Sequence, residues 1–329
     1  MQYQTRKTRT MLEIVVVFAT TLLCAAAGVA FGHDDDEPLG PFGPWSEPVN
    51  LGPVVNSPFD DNHPAISKNG LSLFITSSRP GGVNGVGQFP EIWVSQRASL
   101  DADWGPPQNL GPVVNSLGHN TGAPNLSPDE HLLFFHSTRP GGCGGADLYV
   151  ARRKHKRDDF GWQAPVNLGC TINRPFADNG PTYFEDEETG TITMYFNSTR
   201  PGGIGPENIY ASILGDDGTF GAAVLVPELS SPRVDGRTAI RRDGLEMLVS
   251  SNRLGSIGGS NDIWVSTRAT TSGVWSTPVN LGPPINSEFD DGGSALSADG
   301  TTLYFYSTRR PGGFGGRDLY VSKRTKLPD

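Results

Sequence analysis

The sequence predicts an all-β protein: a five-bladed β-propeller of four-stranded blades, its ring closed by the N-terminal strand completing the last blade. Three observations lead there. One phrase recurs five times along the chain. Each copy holds four short apolar runs of period two, bounded by Gly, Pro, Asn and Asp. Gly 42 and Pro 27 together take about a fifth of the 329 residues, a load no long helix tolerates, because these are the two poorest residues for a helix interior. Four-stranded units of this size, repeated without helices, read as blades. A lone blade leaves a face bare, so five must pack side by side around a channel.

The chain begins with an address. Arg6, Lys7 and Arg9 precede an apolar stretch, Ile14 to Ala30, that ends in small residues. This is the layout of a secretory signal peptide over residues 1–30, with an uncleaved anchor as the alternative. Residues 31–44 read as an acidic linker around His33-Asp34-Asp35-Asp36-Glu37. Cleavage after Ala30 would leave Phe31-Gly32-His33 as an amino terminus able to wrap Cu(II) or Ni(II) in a square plane. The expected compartment is periplasmic or extracellular, with no membrane span once the signal is removed. A formal net charge of −9 argues against nucleic acid as a partner.

The propeller occupies residues 45–329. Its repeats start near 45, 104, 162, 220 and 275, each on an aromatic: Trp45, Trp104, Trp162, Phe220 and Trp275. The outer strand comes first in each copy, as Pro-Val-Asn-Leu-Gly or a variant. The inner strand comes next, ending at Pro-Ala-Ile-Ser (64–67) and its equivalents. A turn then leads to a second strand that climbs to an Arg. A Gly-rich loop precedes the third strand, of the kind Asp318-Leu319-Tyr320-Val321. The chain ends after the third strand of the fifth copy, one outer strand short. The spare strand is Trp45 to Gly52, which predicts ring closure there and removes exposed edges.

The stretch Ser297 to Arg309, followed by Pro311-Gly312-Gly313-Phe314-Gly315-Gly316-Arg317-Asp318-Leu319-Tyr320, resembles the WD40-like repeat called PD40. That repeat builds the propellers of TolB-type periplasmic proteins and of envelope proteins carrying an OmpA-like module. The resemblance covers about residues 45–325. It implies a propeller fold, and no OmpA-like domain accompanies it here. Fold does not carry function. The expected role is therefore a non-enzymatic binding module with a protein or glycan partner in the envelope or outside the cell. The alternative is a glycoside hydrolase of five blades using carboxylates at the channel mouth.

Several series carry polar chemistry. Arg79, Arg139, Arg200, Arg253 and Arg309 close the second strands and are expected to be structural, held by blade acids such as Asp147, Asp262 and Asp318 or by loop carbonyls. The Gly-rich loops are read as positive-φ bends, since no helix follows them as a phosphate loop would need. Asp61, Asp178, Asp235 and Asp291 precede the inner strands, with Thr121 in the second copy and Asp60 and Asp290 alongside. They are the candidate ligand-binding residues at the mouth, either architectural or free for a cation, amine or sugar. No cofactor is expected; Ca²⁺ is the one metal that hard oxygen ligands would favour. No Gly-x-Ser-x-Gly or His-Glu-x-x-His occurs, and His63, His119, His131 and His136 show no metal spacing. Cys143 and Cys170 fall on one face of the second blade, where an oxidising compartment permits a disulfide. On the opposite face, the basic run Arg152 to Arg157 and the acidic insert Glu185 to Glu188 are placed to attract each other.

Overall fold

The computed structural model describes residues 42–85 and 87–328. The expected signal segment, most of the expected acidic linker and the His33 copper reading lie outside the described residues. The described chain forms a ring of five antiparallel sheets of four strands each.

The strand β1 (Val49–Asn50) comes first. Blade 1 is β2 (Asp61–Ile66), β3 (Ser72–Ser77), β4 (Glu91–Gln96) and β5 (Gln108–Asn109). Blade 2 is β6 (Thr121–Leu126), β7 (Leu132–Ser137), β8 (Asp147–Arg152) and β9 (Val166–Asn167). Blade 3 is β10 (Asp178–Glu185), β11 (Ile192–Ser198), β12 (Asn208–Ile213) and β13 (Val224–Leu225). Blade 4 is β14 (Asp235–Ile240), β15 (Glu246–Ser251), β16 (Asp262–Thr267) and β17 (Val279–Asn280). Blade 5 is β18 (Asp291–Leu296), β19 (Thr302–Thr308) and β20 (Arg317–Lys323), and β1 supplies its outer strand.

Closure is a register, not only a contact. Val49 pairs with Val321 and Asn50 with Tyr320. The Ser46 and Leu51 amides bond the Lys323 and Leu319 carbonyls at 2.7 and 3.0 Å. The five-bladed ring closed by its N-terminal strand is therefore the observed fold.

The apolar faces of the blades are buried against each other. Five apolar clusters form, each shared by two neighbouring blades. Phe74, Ile92 and Val94 of blade 1, for example, meet Leu133, Phe135 and Tyr149 of blade 2. Strand alternation explains this: a blade has two faces, and in a ring both meet a neighbour.

Four inner strands break register after the second residue, as between Asn62 and Ala65 or Asn179 and Thr182, and β14 breaks between Asp235 and Thr238. The third residue of four inner strands takes left-handed backbone: His63 (φ 46), Ala123 (φ 51), Gly180 (φ 58) and Gly293 (φ 62). A bulge re-aims a side chain that regular pleating would send elsewhere. Here the bulges present His63 and, in blade 4, Arg237 to the channel.

On the mouth face, Cys143 and Cys170 are joined by a disulfide with Cα atoms 5.5 Å apart. On the opposite, base face, the expected attraction between the basic run and the acidic insert is not made. Arg153 is fully buried, paired with Asp159 at 2.6 Å and stacked on Trp162. Glu187 pairs instead with Arg242 of blade 4 at 3.0 Å. Stacking on an aromatic ring and pairing within its own loop compete successfully with a distant loop for the guanidinium.

Candidate functional site at the channel mouth

The four mouth aspartates are taken. Asp61, Asp178, Asp235 and Asp291 are each 0% exposed. One carboxylate oxygen meets a guanidinium: Arg79–Asp61 at 2.6 Å, Arg200–Asp178 at 2.6 Å, Arg253–Asp235 at 2.7 Å and Arg310–Asp291 at 3.1 Å. The other accepts a backbone N–H, from Ser57, Arg174, Ser231 and Ser287 respectively. The same guanidinia donate to linker carbonyls, of Val55, Ile172 and Leu229 at 2.6, 2.8 and 2.7 Å and of Ile285. These residues fasten the incoming linker to the end of the second strand. None of the four carboxylates is left facing the channel.

Two details of the Arg series differ from the sequence expectation. Arg309 does not clamp; the extra residue in Thr308-Arg309-Arg310-Pro311 shifts the register, and Arg310 takes the role while Arg309 turns through φ 56. Arg139 faces Thr121 and has no inner-strand acid, so it bonds the Val114 carbonyl and lies over Phe135 and Tyr149. Asp147, Asp262 and Asp318 do not hold these arginines either. They accept amides of the Gly-rich loops, from Cys143, Ile257 and Phe314. Glu91 and Asn208 do the same in blades 1 and 3. A loop folded over a strand end points several N–H groups at one spot, and the carboxylate or amide oxygen there accepts them instead of a guanidinium.

Polar residues that do not repeat are a different set, and they gather at the mouth and in the channel. Directly before the third strand stand Pro90, Ala146, Glu207, Asn261 and Arg317. On the second strand, facing the next blade, stand Thr76, His136, Asn197, Ser250 and Tyr306. Thr76 and Ser250 hydroxyls accept the bulge N–H of the following blade, from Ala123 and Gly293, at 2.8 and 2.9 Å. The others in these positions carry chemistry that the scaffold does not need.

Glu207 lies at the seam of blades 3 and 4. It accepts a bond from the Asn197 amide. Burial raises its pKa, with Asp235 adding to the rise. At the seam of blades 5 and 1, Arg317 sits between two partly exposed acids, 3.6 Å from Asp60 and 3.6 Å from Asp290. Its guanidinium also lies 5.2 Å from the Tyr306 ring, whose hydroxyl is 3.5 Å from Asp290. Burial pushes the Tyr306 phenol far up, so it stays a donor. His63 meets Tyr306 edge to face at 5.8 Å. Burial lowers the pKa of His63 well below the usual value and that of His136 to about 4, with Arg237 adding to both. Both rings are therefore neutral at pH 7. Among the described residues, no three His, Cys, Asp or Glu side chains are grouped to hold a metal ion.

Solved structures that match this shape include glycoside hydrolases. The endo-arabinase from Bacteroides thetaiotaomicron is 17% identical, with a TM-score of 0.57 over 86% of this chain and 99% of that one. The α-L-arabinofuranosidase from Lactobacillus brevis is 17% identical, with a TM-score of 0.56 over 85% and 94%. A family 117 glycoside hydrolase from Zobellia galactanivorans is 13% identical, with a TM-score of 0.53 over 88% and 93%. At these identities the likeness is one of fold. No protein-family model matches the chain. No curated protein matches it either.

These neighbours correct the expectation of a non-enzymatic binding module built like the WD40-like repeat propellers. That expectation took the near-identical mouth aspartates, which are indeed architecture, for the whole of the acidic chemistry. It noted Asp60 and Asp290 alongside them but gave them no separate role, and it did not single out Glu207. Glycoside hydrolases are built on the matching architecture, so repetition of the aspartates is no ground against catalysis.

Proposed function

We propose that the protein is an exported glycoside hydrolase acting on a glycan held at the channel mouth. The observation that carries this is that unlike carboxyl groups stand at two different seams of the ring, Glu207 beside Asn197 and Asp60 and Asp290 beside Arg317. Glu207 is half-buried with a raised pKa, the state of a group that donates a proton to a leaving oxygen. Asp60 and Asp290 flank the Arg317 guanidinium, each 3.6 Å from it, and are placed for activation of a water or direct attack. The two seams are not adjacent in a ring of five. A sugar seated between them therefore has a carboxyl group on each side, as glycosidic cleavage needs. The fold likeness to arabinose-releasing enzymes supports a glycan partner. The Asn197 amide holds the Glu207 carboxyl, and the Tyr306 hydroxyl steadies Asp290. The sequence likeness to the WD40-like repeat is proposed as kinship of the scaffold alone.

The test is a panel of plant and algal polysaccharides and aryl glycosides, arabinosides first, read by reducing-sugar release. Glu207→Gln should lower turnover by about 10²–10⁴-fold, the usual contribution of a general acid, while the far-ultraviolet spectrum is unchanged. A folded wild type that releases nothing from the panel would sink the proposal.

A further inference from the structure

At its base end the channel opens into a funnel with a cavity of about 150 Å³, and the mouth chemistry makes no use of it. Where the inner strands end, its wall mixes apolar side chains such as Ile66, Leu126 and Phe184 with charged ones such as Glu130, Glu185 and Arg242. Arg237 and Ser294 line it deeper. Arg237 leaves the β14 bulge and crosses the channel, its Nη2 donating to the Pro64 and Pro124 carbonyls of blades 1 and 2 at 3.0 and 2.6 Å. It is 5% exposed, and its Nε and Nη1 have no partner. Among the described residues no carboxylate lies within ion-pairing distance of it. Burial lowers its pKa to about 9, which still leaves it charged at neutral pH. The Ser294 hydroxyl, 2% exposed, is also unpartnered.

A buried cation without a counter-charge is among the costliest arrangements a fold can hold. The neighbouring His63 and His136 rings are neutral and offset none of it. The acids of the funnel wall are engaged elsewhere. Glu187 pairs with Arg242, Glu130 accepts the Lys68 amide at 2.6 Å, and Glu185 meets the Tyr183 hydroxyl at 3.3 Å. Burial also biases Glu185 toward its uncharged form.

We infer that the base funnel is a second ligand site, taking a small anion whose carboxylate or sulfate group meets Arg237 and the Ser294 hydroxyl. A sugar acid and a sulfated sugar share that chemistry. The inference stands apart from the mouth reading, because it rests on different residues at the other end of the channel.

Isothermal titration with galacturonate, inorganic sulfate and neutral galactose tests it on the wild type, Arg237→Leu, Arg237→Lys and Glu207→Gln. Saturable one-to-one binding of galacturonate or sulfate is expected, roughly tenfold or more tighter than galactose and weakened by the same factor in Arg237→Leu. Preference between the two anions identifies the group recognised. Glu207→Gln should bind like the wild type, and Arg237→Leu should melt no lower. Galactose binding as tightly as galacturonate overturns the inference, as does undiminished binding in Arg237→Leu or loss of binding in Glu207→Gln. A wild type that binds neither anion also ends it. Should Arg237→Leu fail to fold, Arg237→Lys decides, since unweakened binding with the fork removed contradicts the assigned contact.

Discussion

Asp178 and Arg200 form a buried pair at 2.6 Å, with the Ile172 carbonyl completing the guanidinium's partners. Removing the acid leaves a buried cation, so Asp178→Ala should destabilise by about 3–5 kcal/mol in urea unfolding. A loss below about 1 kcal/mol would mean that Arg200 finds water, as an exposed pair's partner does. Glu207 gives the opposite case. Its folded pKa is raised from 4.5, so the folded state holds the proton more tightly than the unfolded chain does. Stability from the neutral form is complete below the unfolded value and declines as pH rises through the folded one. Glu207→Gln should therefore be more stable than the wild type at neutral pH, with the gap closing under acid, by thermal melts across the range. Turnover should fall on the alkaline side, where the acid loses its proton. Most of the Arg series was legible because it recurs. Arg310 was missed because one inserted residue shifts the count. Glu207 was missed because it occurs once, and its departure from Pro90, Ala146, Asn261 and Arg317 was the only signal.

At the scale of the element, the outer strands are only two residues long, and other bonds hold the edge. Asn56 bridges the Leu319 N–H and carbonyl at 2.8 and 3.0 Å, and Asn115, Asn173 and Asn286 do the same for Ile92, Leu148 and Ile263. On the base face, Arg97, Arg153, Arg268 and Arg324 stack on Trp104, Trp162, Trp275 and Trp45 at 4.3–4.5 Å. Blade 3 puts Leu214 against Phe220 instead. This second Arg series was readable from its spacing after the third strand. The inner-strand bulges were not, because left-handed backbone at His63 and Ala123 has no residue signature of its own. The Cys143–Cys170 bond closes a loop of 27 residues, tying blade 2's Gly-rich loop to its exit. Cys143→Ser should cost roughly 2–4 kcal/mol, largely through the unfolded chain, by denaturant titration against the oxidised wild type.

The whole ring depends on its first strand. β1 gives blade 5 its outer edge, and Leu51, Val55 and Asn56 reach the core and backbone of β20. A chain starting after Asn56 should lose the single cooperative melting transition and expose the amides of β20 to exchange. A shortened chain that melts as one unit with those amides protected would show that the other blades close the ring without it. The sequence by itself determined the number of blades, their strand order and the closing strand, because repetition, period-two alternation and turn residues are local and additive. Which carboxylates are architecture and which stand free was decided only by the tertiary structure. An aspartate's role depends on the guanidinium, amide or solvent that meets it, and those partners come from linkers and neighbouring blades far away in the chain.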